Sequence, residues 1–130
     1  MPRLHVVALS ARLPGWAEEA CAEYLKRMPR GYEVERTLVK RLQLPKNSHV
    51  VALDERGRDL TTVRFAQLLK RETTFVIGGP DGLDEEVKQG AAMLLRLSSL
   101  TLPHALAQVV LLEQIYRAAT LLTGHPYHRA

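Results

Sequence analysis

The chain has 130 residues, of which 46% are hydrophobic and 25% charged, with a formal net charge of +4. That size and composition imply one folded domain with a real core and exclude global disorder. The single cysteine, Cys21, excludes an intrachain disulfide, and the basic balance leans toward a polyanionic partner such as RNA or DNA without requiring one. No basic leader feeds an apolar stretch at the start, and no apolar run reads as long enough to span a bilayer. A cytoplasmic setting with no membrane partner is the expectation.

In chain order, "LHVVAL" (4–9) is a continuous apolar run with β-branched residues and predicts a buried strand. After "SARLPGW", Ala17, Cys21, Tyr24, Leu25 and Met28 recur at helical spacing. They predict a helix over about 16–28, stopped by Pro29 and Gly31. "YEVERTLV" (32–39) alternates charged and apolar residues, as a strand with one wet face does. Beyond the connector "RLQLPKNS", "HVVAL" (49–53) predicts a third strand, and "DERGRD" a turn. Thr61 or Thr62 can cap a helix carrying Val63, Ala66, Leu68 and Leu69. "TTFVIGG" (73–79) predicts a fourth strand, and "PDGL" leads into a helix over about 84–95. "LSSLTL" (97–102) alternates and predicts a fifth strand or extended segment. Pro103 suits the first turn of a last helix running to about Leu122 and stopping at Gly124.

Strands alternating with helices in this way predict an α/β fold with a mainly parallel sheet covered on both faces. The last helix, "ALAQVVLLEQIYRAATLL", is apolar almost all round, whereas a surface helix carries only a stripe. Either it is deeply buried or its second face meets another subunit, and in so small a domain the second is the expectation, with Val109 to Leu112, Ile115 and Tyr116 losing exposure there.

Three apolar runs end in segments suited to binding: Leu53-Asp54, "IGGPDG" (77–82) and "LSSLTLPH" (97–104). In parallel sheets, ligands sit beyond the carboxyl ends of the strands, and glycines there let backbone approach them. A lone "GGxxG" more often serves only a turn. The spacing matches neither G-x-G-x-x-G nor a Gly-Lys-Ser/Thr phosphate loop. His5 and His49 lie in or beside strands and read as structural. His125-x-x-His128 has metal-like spacing but no third ligand nearby, so no metal is expected. Cys21 reads as core. Lys26, Arg27, Arg30, Lys40, Arg41 and Lys46 are scattered, with no nucleic-acid motif to organise them.

"VIGGPDGL", "LSSLTLPHALAQVVLLEQIYRA" and the terminal "HPYHR" together resemble the RlmH (YbeA-like) family, SPOUT-class methyltransferases of the large ribosomal subunit RNA. "VVALSARLPGW" and "VALDERGRDL" agree, and the likeness is continuous from about Val50 to Arg129. The resemblance implies a single SPOUT domain over 1–130, with a deep trefoil knot in about 74–130, a rare exception to ordinary chain topology. It implies a pocket for S-adenosylmethionine walled by Leu53, Gly79, Ser98, Ser99, Leu100, Thr101, Leu102 and Pro103. It further implies a homodimer that methylates N3 of a pseudouridine in helix 69 of 23S rRNA on assembled ribosomes. The tail is implied to fold over the cofactor pocket. There His128 is the candidate base, Arg129 the group that stabilises negative charge or clamps a phosphate, and Tyr127 a stacking or orienting group. One departure stands out: the family usually carries a longer, helix-containing segment where this chain has "KRLQLPKNS". The competing reading is a non-catalytic ribosome-associated RNA-binding protein that keeps the knotted fold.

Overall fold

A computed structural model describes residues 3–9 and 12–127. Five strands form one sheet in the order β2-β1-β4-β3-β5. The strands are β1 (Leu4–Leu9), β2 (Val34–Val39), β3 (His49–Arg58), β4 (Thr73–Ile77) and β5 (Met93–Leu95). The helices are α1 (Gly15–Arg27), α2 (Thr62–Leu68), α3 (Glu85–Gly90) and α4 (His104–Thr123). Each neighbouring pair of strands is parallel. The continuous apolar runs follow from that arrangement, because a central parallel strand is covered on both faces. Every residue of β4 is buried, and so are Val50, Val51 and Ala52 of β3.

The larger core lies on the face covered by α1, α2 and α4. Leu4, Val6, Ala8 and Phe75 of the sheet meet Ala17 and Cys21 of α1, Phe65 and Ala66 of α2, and Leu111, Leu112 and Ile115 of α4. Cys21 is fully buried, and burial pushes its thiol up from the ordinary value. The opposite face has a smaller core, Val50, Ala52, Val76 and Leu83, covered by Val87 of α3 and by Leu42 and Leu44. Leu42 and Leu44 belong to the connector 40–48, which carries the chain from edge strand β2 across to β3 with no helix. Parallel crossovers normally need roughly a dozen residues or more and a helix. Here an extended strap spans the sheet instead.

Three boundaries differ from expectation. The third strand, expected over 49–53, runs on to Arg58 through the segment expected as a turn, because after an irregularity beyond Leu53 it pairs again with β5 through Arg58 and Leu95. The helix expected over about 84–95 ends at Gly90, and the fifth strand is Met93–Leu95 rather than 97–102. Met93, Leu94 and Leu95 find backbone partners in Val51, Ala52 and Leu53. Residues 97–103 have no strand partner and form a loop. All of that loop except Ser99 lines a cavity, so its alternating sequence does not mark a strand.

Helix α4 also revises two expectations. It is long and apolar enough to cross a membrane by length and composition, but half of that stretch is buried inside the protein, so it is a core helix. Leu111, Leu112 and Ile115 are fully buried within the protomer and Tyr116 nearly so. They are not available to a second subunit. The half-buried positions are Leu106, Val109, Val110, Glu113, Gln114 and Arg117, which share one side of the helix. Gly124 ends α4 in the left-handed conformation at φ 76°, and the amide of His125 donates to the Thr120 carbonyl at 2.9 Å.

Helices α1 and α4 run side by side in the same direction. Glu18 and Gln108 are joined through Arg36 of β2, and further along the Tyr24 and Tyr116 rings lie 6.0 Å apart. The Arg36 guanidinium, 9% exposed, makes two 3.2 Å bonds to the Glu18 carboxylate and donates to Gln108 Oε1 at 2.9 Å and 3.2 Å. A bidentate pair of this kind fixes geometry as well as charge. That hydrogen bond and the Arg36 charge hold the Glu18 carboxyl below its ordinary 4.5. Its stabilising contribution is complete above that pH and is lost as pH falls through the lowered folded-state value. Glu18→Gln should cost about 1–3 kcal/mol at neutral pH by stripping Arg36 of its counter-charge. Its melting temperature should also fall less on acidification than that of the unsubstituted protein. Parallel melting-temperature profiles for the two proteins would show that the clamp adds nothing.

Candidate active site

A cavity of about 750 Å³ opens at the carboxyl ends of β3, β4 and β5. Its apolar lining comes from Leu53, Ile77, Leu83 and Leu95, followed by Leu100 and Leu102. The backbone of Gly78, Gly79 and Gly82 forms one wall. That wall needs glycine for two physical reasons. A Cβ on Gly78 would lie 2.6 Å from the Gly82 carbonyl carbon, and Gly82 itself has φ +77°. A small antiparallel bridge between Gly79 and Gly82 closes the turn.

Of the residues expected to form the pocket, Leu53, Gly79, Ser98, Leu100, Thr101, Leu102 and Pro103 line this cavity. Ser99 is exposed and is not among the lining residues. The Ser98 hydroxyl accepts a hydrogen bond from the Leu100 amide at 2.9 Å, which tightens the loop at its rim.

The cavity also holds charged groups. Asp54 and Lys88 line it and pair at 3.5 Å, both largely withdrawn from solvent. Glu55, Asp81, Arg96 and His104 line it too. Arg96 is held by Asp59 through Nε at 2.8 Å, and that hydrogen bond lowers the Asp59 carboxyl from its ordinary value. Asp54, Asp81 and His104 fall in the three segments that stand out in the sequence, whereas Glu55, Lys88 and Arg96 carry no signal there. Nothing local to the chain joins Asp54 to Lys88.

Tyr127 does not line the cavity. Its hydroxyl donates to Glu113 Oε2 at 2.8 Å, its ring meets Tyr116 edge-on at 4.6 Å, and Arg117 lies over it at 5.1 Å. Burial first, then the bond to Glu113, pushes its phenol up to about 12. Tyr127 is therefore protonated and latched onto α4. Glu113 lies beyond Ala107, the last lining residue on α4, by about 9 Å of helix axis. His128 and Arg129 lie outside the described residues.

This open parallel sheet with a glycine-walled cavity at its carboxyl edge agrees with what known proteins show. The family described as "Predicted SPOUT methyltransferase" matches residues 2–128. A Burkholderia thailandensis protein named "Ribosomal RNA large subunit methyltransferase H" is 46% identical over 155 residues, covering 98% of this chain and 99% of its own. A Burkholderia mallei protein of the same name is 45% identical with the same coverage. Among solved structures, a probable methylase family protein from Haemophilus influenzae superposes with a TM-score of 0.67. It covers 99% of this chain and 71% of its own at 15% identity, which speaks to the fold.

The chain belongs to the SPOUT methyltransferase family. An alignment of 155 residues against a chain of 130 means that these relatives contain sequence this chain lacks.

The cavity suits a methyl donor with an adenosine and an amino-acid end. It offers apolar walls for a ring, glycine backbone for edge-on hydrogen bonds, and paired charges for polar termini. A Cβ on Gly79 would meet the Leu9 carbonyl oxygen at 2.7 Å, so the close approach is to the end of β1 and not to the ligand space. Gly79→Ala should therefore push the whole wall off β1. We expect at least tenfold weaker S-adenosylmethionine binding by calorimetry with the protein still folded. Unchanged affinity in a folded variant would place the donor elsewhere.

Proposed function

We propose that this protein is an S-adenosylmethionine-dependent methyltransferase of large-subunit ribosomal RNA that modifies N3 of a pseudouridine in helix 69 of 23S rRNA on assembled ribosomes. The observation that carries this is the cavity at the carboxyl edge, lined by Leu53, Gly79 and residues 98, 100–103, in a chain 46% identical to a ribosomal RNA large subunit methyltransferase H. The carboxyl-terminal part, from about residue 74, forms the family's knot, and the protein works in the cytoplasm without a metal.

The donor supplies a methyl group on a sulfonium, which an in-line displacement transfers. The chain's residues have two tasks, alignment and proton management. Leu53, Gly79, Ser98 and residues 100–103 hold the donor, with Ser99 keeping the loop's outer side. The target nitrogen carries a proton at neutral pH, so a base near its own pKa is needed, and His128 is assigned that role. Arg129 stabilises negative charge on the uracil oxygens or clamps a phosphate. Tyr127, held protonated by Glu113, anchors the tail and orients its last residues instead of moving a proton.

The anchor bears on assembly. Glu113 and Arg117, which hold Tyr127, continue the side of α4 that carries Leu106, Val109 and Val110. Trp16 and Leu100, 56% and 76% exposed, lie at the amino ends of α1 and α4 and extend that apolar surface. A homodimer formed on this side buries it and sets each tail at the subunit contact, where His128 and Arg129 serve the partner's cavity. Each buried valine or leucine contributes roughly 1.5–3 kcal/mol, so Val110→Asp should convert the dimer to monomer in micromolar sedimentation. A variant that stays dimeric would move the contact off α4.

The direct test is methyl transfer to ribosomes from a strain lacking the modification, read by mass spectrometry of the RNA. Deleting residues 125–130 should leave a folded dimer that binds donor, while transfer falls on the order of 10²–10⁴-fold. Higher pH should partly rescue His128→Ala, because the target nitrogen then ionises unaided. Mixing the tail deletion with a Gly79→Ala cavity variant should restore part of the activity, since a mixed dimer has one intact cavity facing one intact tail. Near-normal methylation by the truncated protein would end the catalytic reading of the tail. Donor binding with no methylation of any ribosomal particle would favour the non-catalytic RNA-binding alternative.

A further inference from the structure

The basic residues that look scattered along the chain are collected by the fold. Parallel register aligns the starts of four strands in one row, with Val34, Leu4, Thr73 and His49 as partners. Backbone bonds tie that row together just outside the strands. The Thr73 amide donates to the Arg3 carbonyl at 3.0 Å and the His49 amide to the Glu72 carbonyl at 3.1 Å. Each strand is entered through a basic residue: Arg30 before β2, Arg3 before β1, Lys70 and Arg71 before β4, and Lys46 before β3. Lys26 ends α1 on the same edge. All six are exposed. With strands about 4.8 Å apart, the row from β2 to β3 spans about 14 Å.

The charge balance on this edge is one-sided. Its carboxylates are Glu23, Glu33 and Glu72. Glu23 is paired with Arg27, and Glu33 accepts from the Gly31 amide at 3.0 Å. Among the described residues, none of the six basic side chains has an ion-pair partner. The opposite, cavity-bearing edge mixes the two signs: Asp54, Glu55, Asp81, Asp84, Glu85 and Glu86 lie there with Arg56, Arg58, Lys88 and Arg96, and Lys88 and Arg96 are paired with Asp54 and Asp59. The row at the strand starts is the more uniformly basic of the two edges. A polyanion meets few carboxylates there.

The tail emerges beside this basic edge. Helices α1 and α4 run together, Tyr116 packs on Tyr24, and Tyr127 packs on Tyr116. We propose that the amino edge of the sheet is the RNA-docking surface: Arg3, Lys26, Arg30, Lys46, Lys70 and Arg71 contact backbone phosphates of the ribosomal RNA, next to the tail of the same protomer. This rests on the reading of the protein as an RNA methyltransferase whose tail serves the partner's cavity. One protomer then supplies the methyl donor, and the other supplies both the tail and the grip on RNA. Phosphate contacts of this kind position the substrate and carry no sequence information.

The test uses the full-length dimer, unmethylated large ribosomal subunits and a triple variant, Arg30→Gln/Lys70→Gln/Arg71→Gln. All three positions are exposed, and surface substitutions of this kind leave folding intact within about 0.5 kcal/mol. Binding to subunits should weaken on the order of 100-fold at 0.1 M salt. The slope of log K against log salt should fall by about 2–3, one increment of roughly 0.7–0.9 per lost phosphate contact. S-adenosylmethionine affinity and sedimentation should not change. Arg64→Gln, an exposed position at the start of α2 on the opposite edge, should bind subunits normally. The unsubstituted dimer gives an independent check, since its own binding must weaken steeply with salt. Equal affinity and slope in the triple variant, or salt-independent binding by the unsubstituted dimer, would overturn the assignment. If the unsubstituted dimer methylates ribosomes, such a result removes only the docking surface. If it neither binds nor methylates them, the methyltransferase reading fails as well. Loss of binding with an unchanged salt slope would point to a ribosomal protein as the contact and would also overturn it.

Discussion

The packing of α4 between α1, α2 and the sheet is the constraint on which most of the molecule depends. Its inner side supplies Leu111, Leu112 and Ile115 to the larger core. Its first turn lines the cavity through His104 and Ala107. Its outer side carries the half-buried stripe and the Glu113–Arg117 cradle for Tyr127. A helix of 20 residues is about 30 Å long. It cannot bring its first turn and its last to the same place. The tail turns back at Gly124, and Tyr127 is latched to Glu113 and Tyr116 midway along the helix, outside the cavity. The Arg36 clamp fixes this geometry, because Glu18 of α1 and Gln108 of α4 share one guanidinium on β2.

What could be read from the sequence follows from how local each cause is. Strand β4 and the first half of β3 are legible because burial on both faces demands continuous apolar runs, and β1 carries such a run although its second face is only half-buried. The stop of α4 was legible because Gly124 answers a local need for positive φ. Strand β5 was not. Met93-Leu94-Leu95 is apolar in a way that also continues the helical pattern before it, and only pairing with Val51 to Leu53 makes it a strand. The buried side of α4 was misjudged for a similar reason. An all-round apolar helix can be covered by its own chain or by a partner, and the arrangement of α1 and α2 decides which residues go where.

The candidate site divides the same way. Gly78 and Gly82 stand out in sequence because they relieve backbone crowding and a positive φ within one turn, a local property, whereas Gly79 answers a contact with the distant Leu9 carbonyl. Asp54 stands out in sequence at the end of an apolar run, whereas nothing local marks Lys88 or Arg96. Only the fold brings Asp54, midway along β3, to Lys88 of α3. The basic edge is a stronger case of the same effect. Its residues are spread from Arg3 to Arg71, and parallel register alone puts them in one row.

The short connector between β2 and β3 shows how much of the family's architecture the chemistry requires. Relatives align over 155 residues where this chain has 130, yet the cavity wall and the α4 face are complete here. Leu42 and Leu44 still cover Val50 and Ala52, so the inner strands keep their second layer. The uncovered part lies further out, where His5, Val7, Glu35, Thr37 and Val39 surround a shallow depression of about 350 Å³. Those residues belong to β1 and the edge strand β2, on the face away from α4, and none lines the cavity. A sheet tolerates loss of cover there because edge strands with alternating polar side chains can face water, as Glu35 and Thr37 do. The same loss over β3 or β4 would expose Val50, Ala52 and Val76, the strands whose ends hold the cavity. The short connector covers the centre of the sheet with only two leucines, Leu42 and Leu44, and leaves the outer strands to face water.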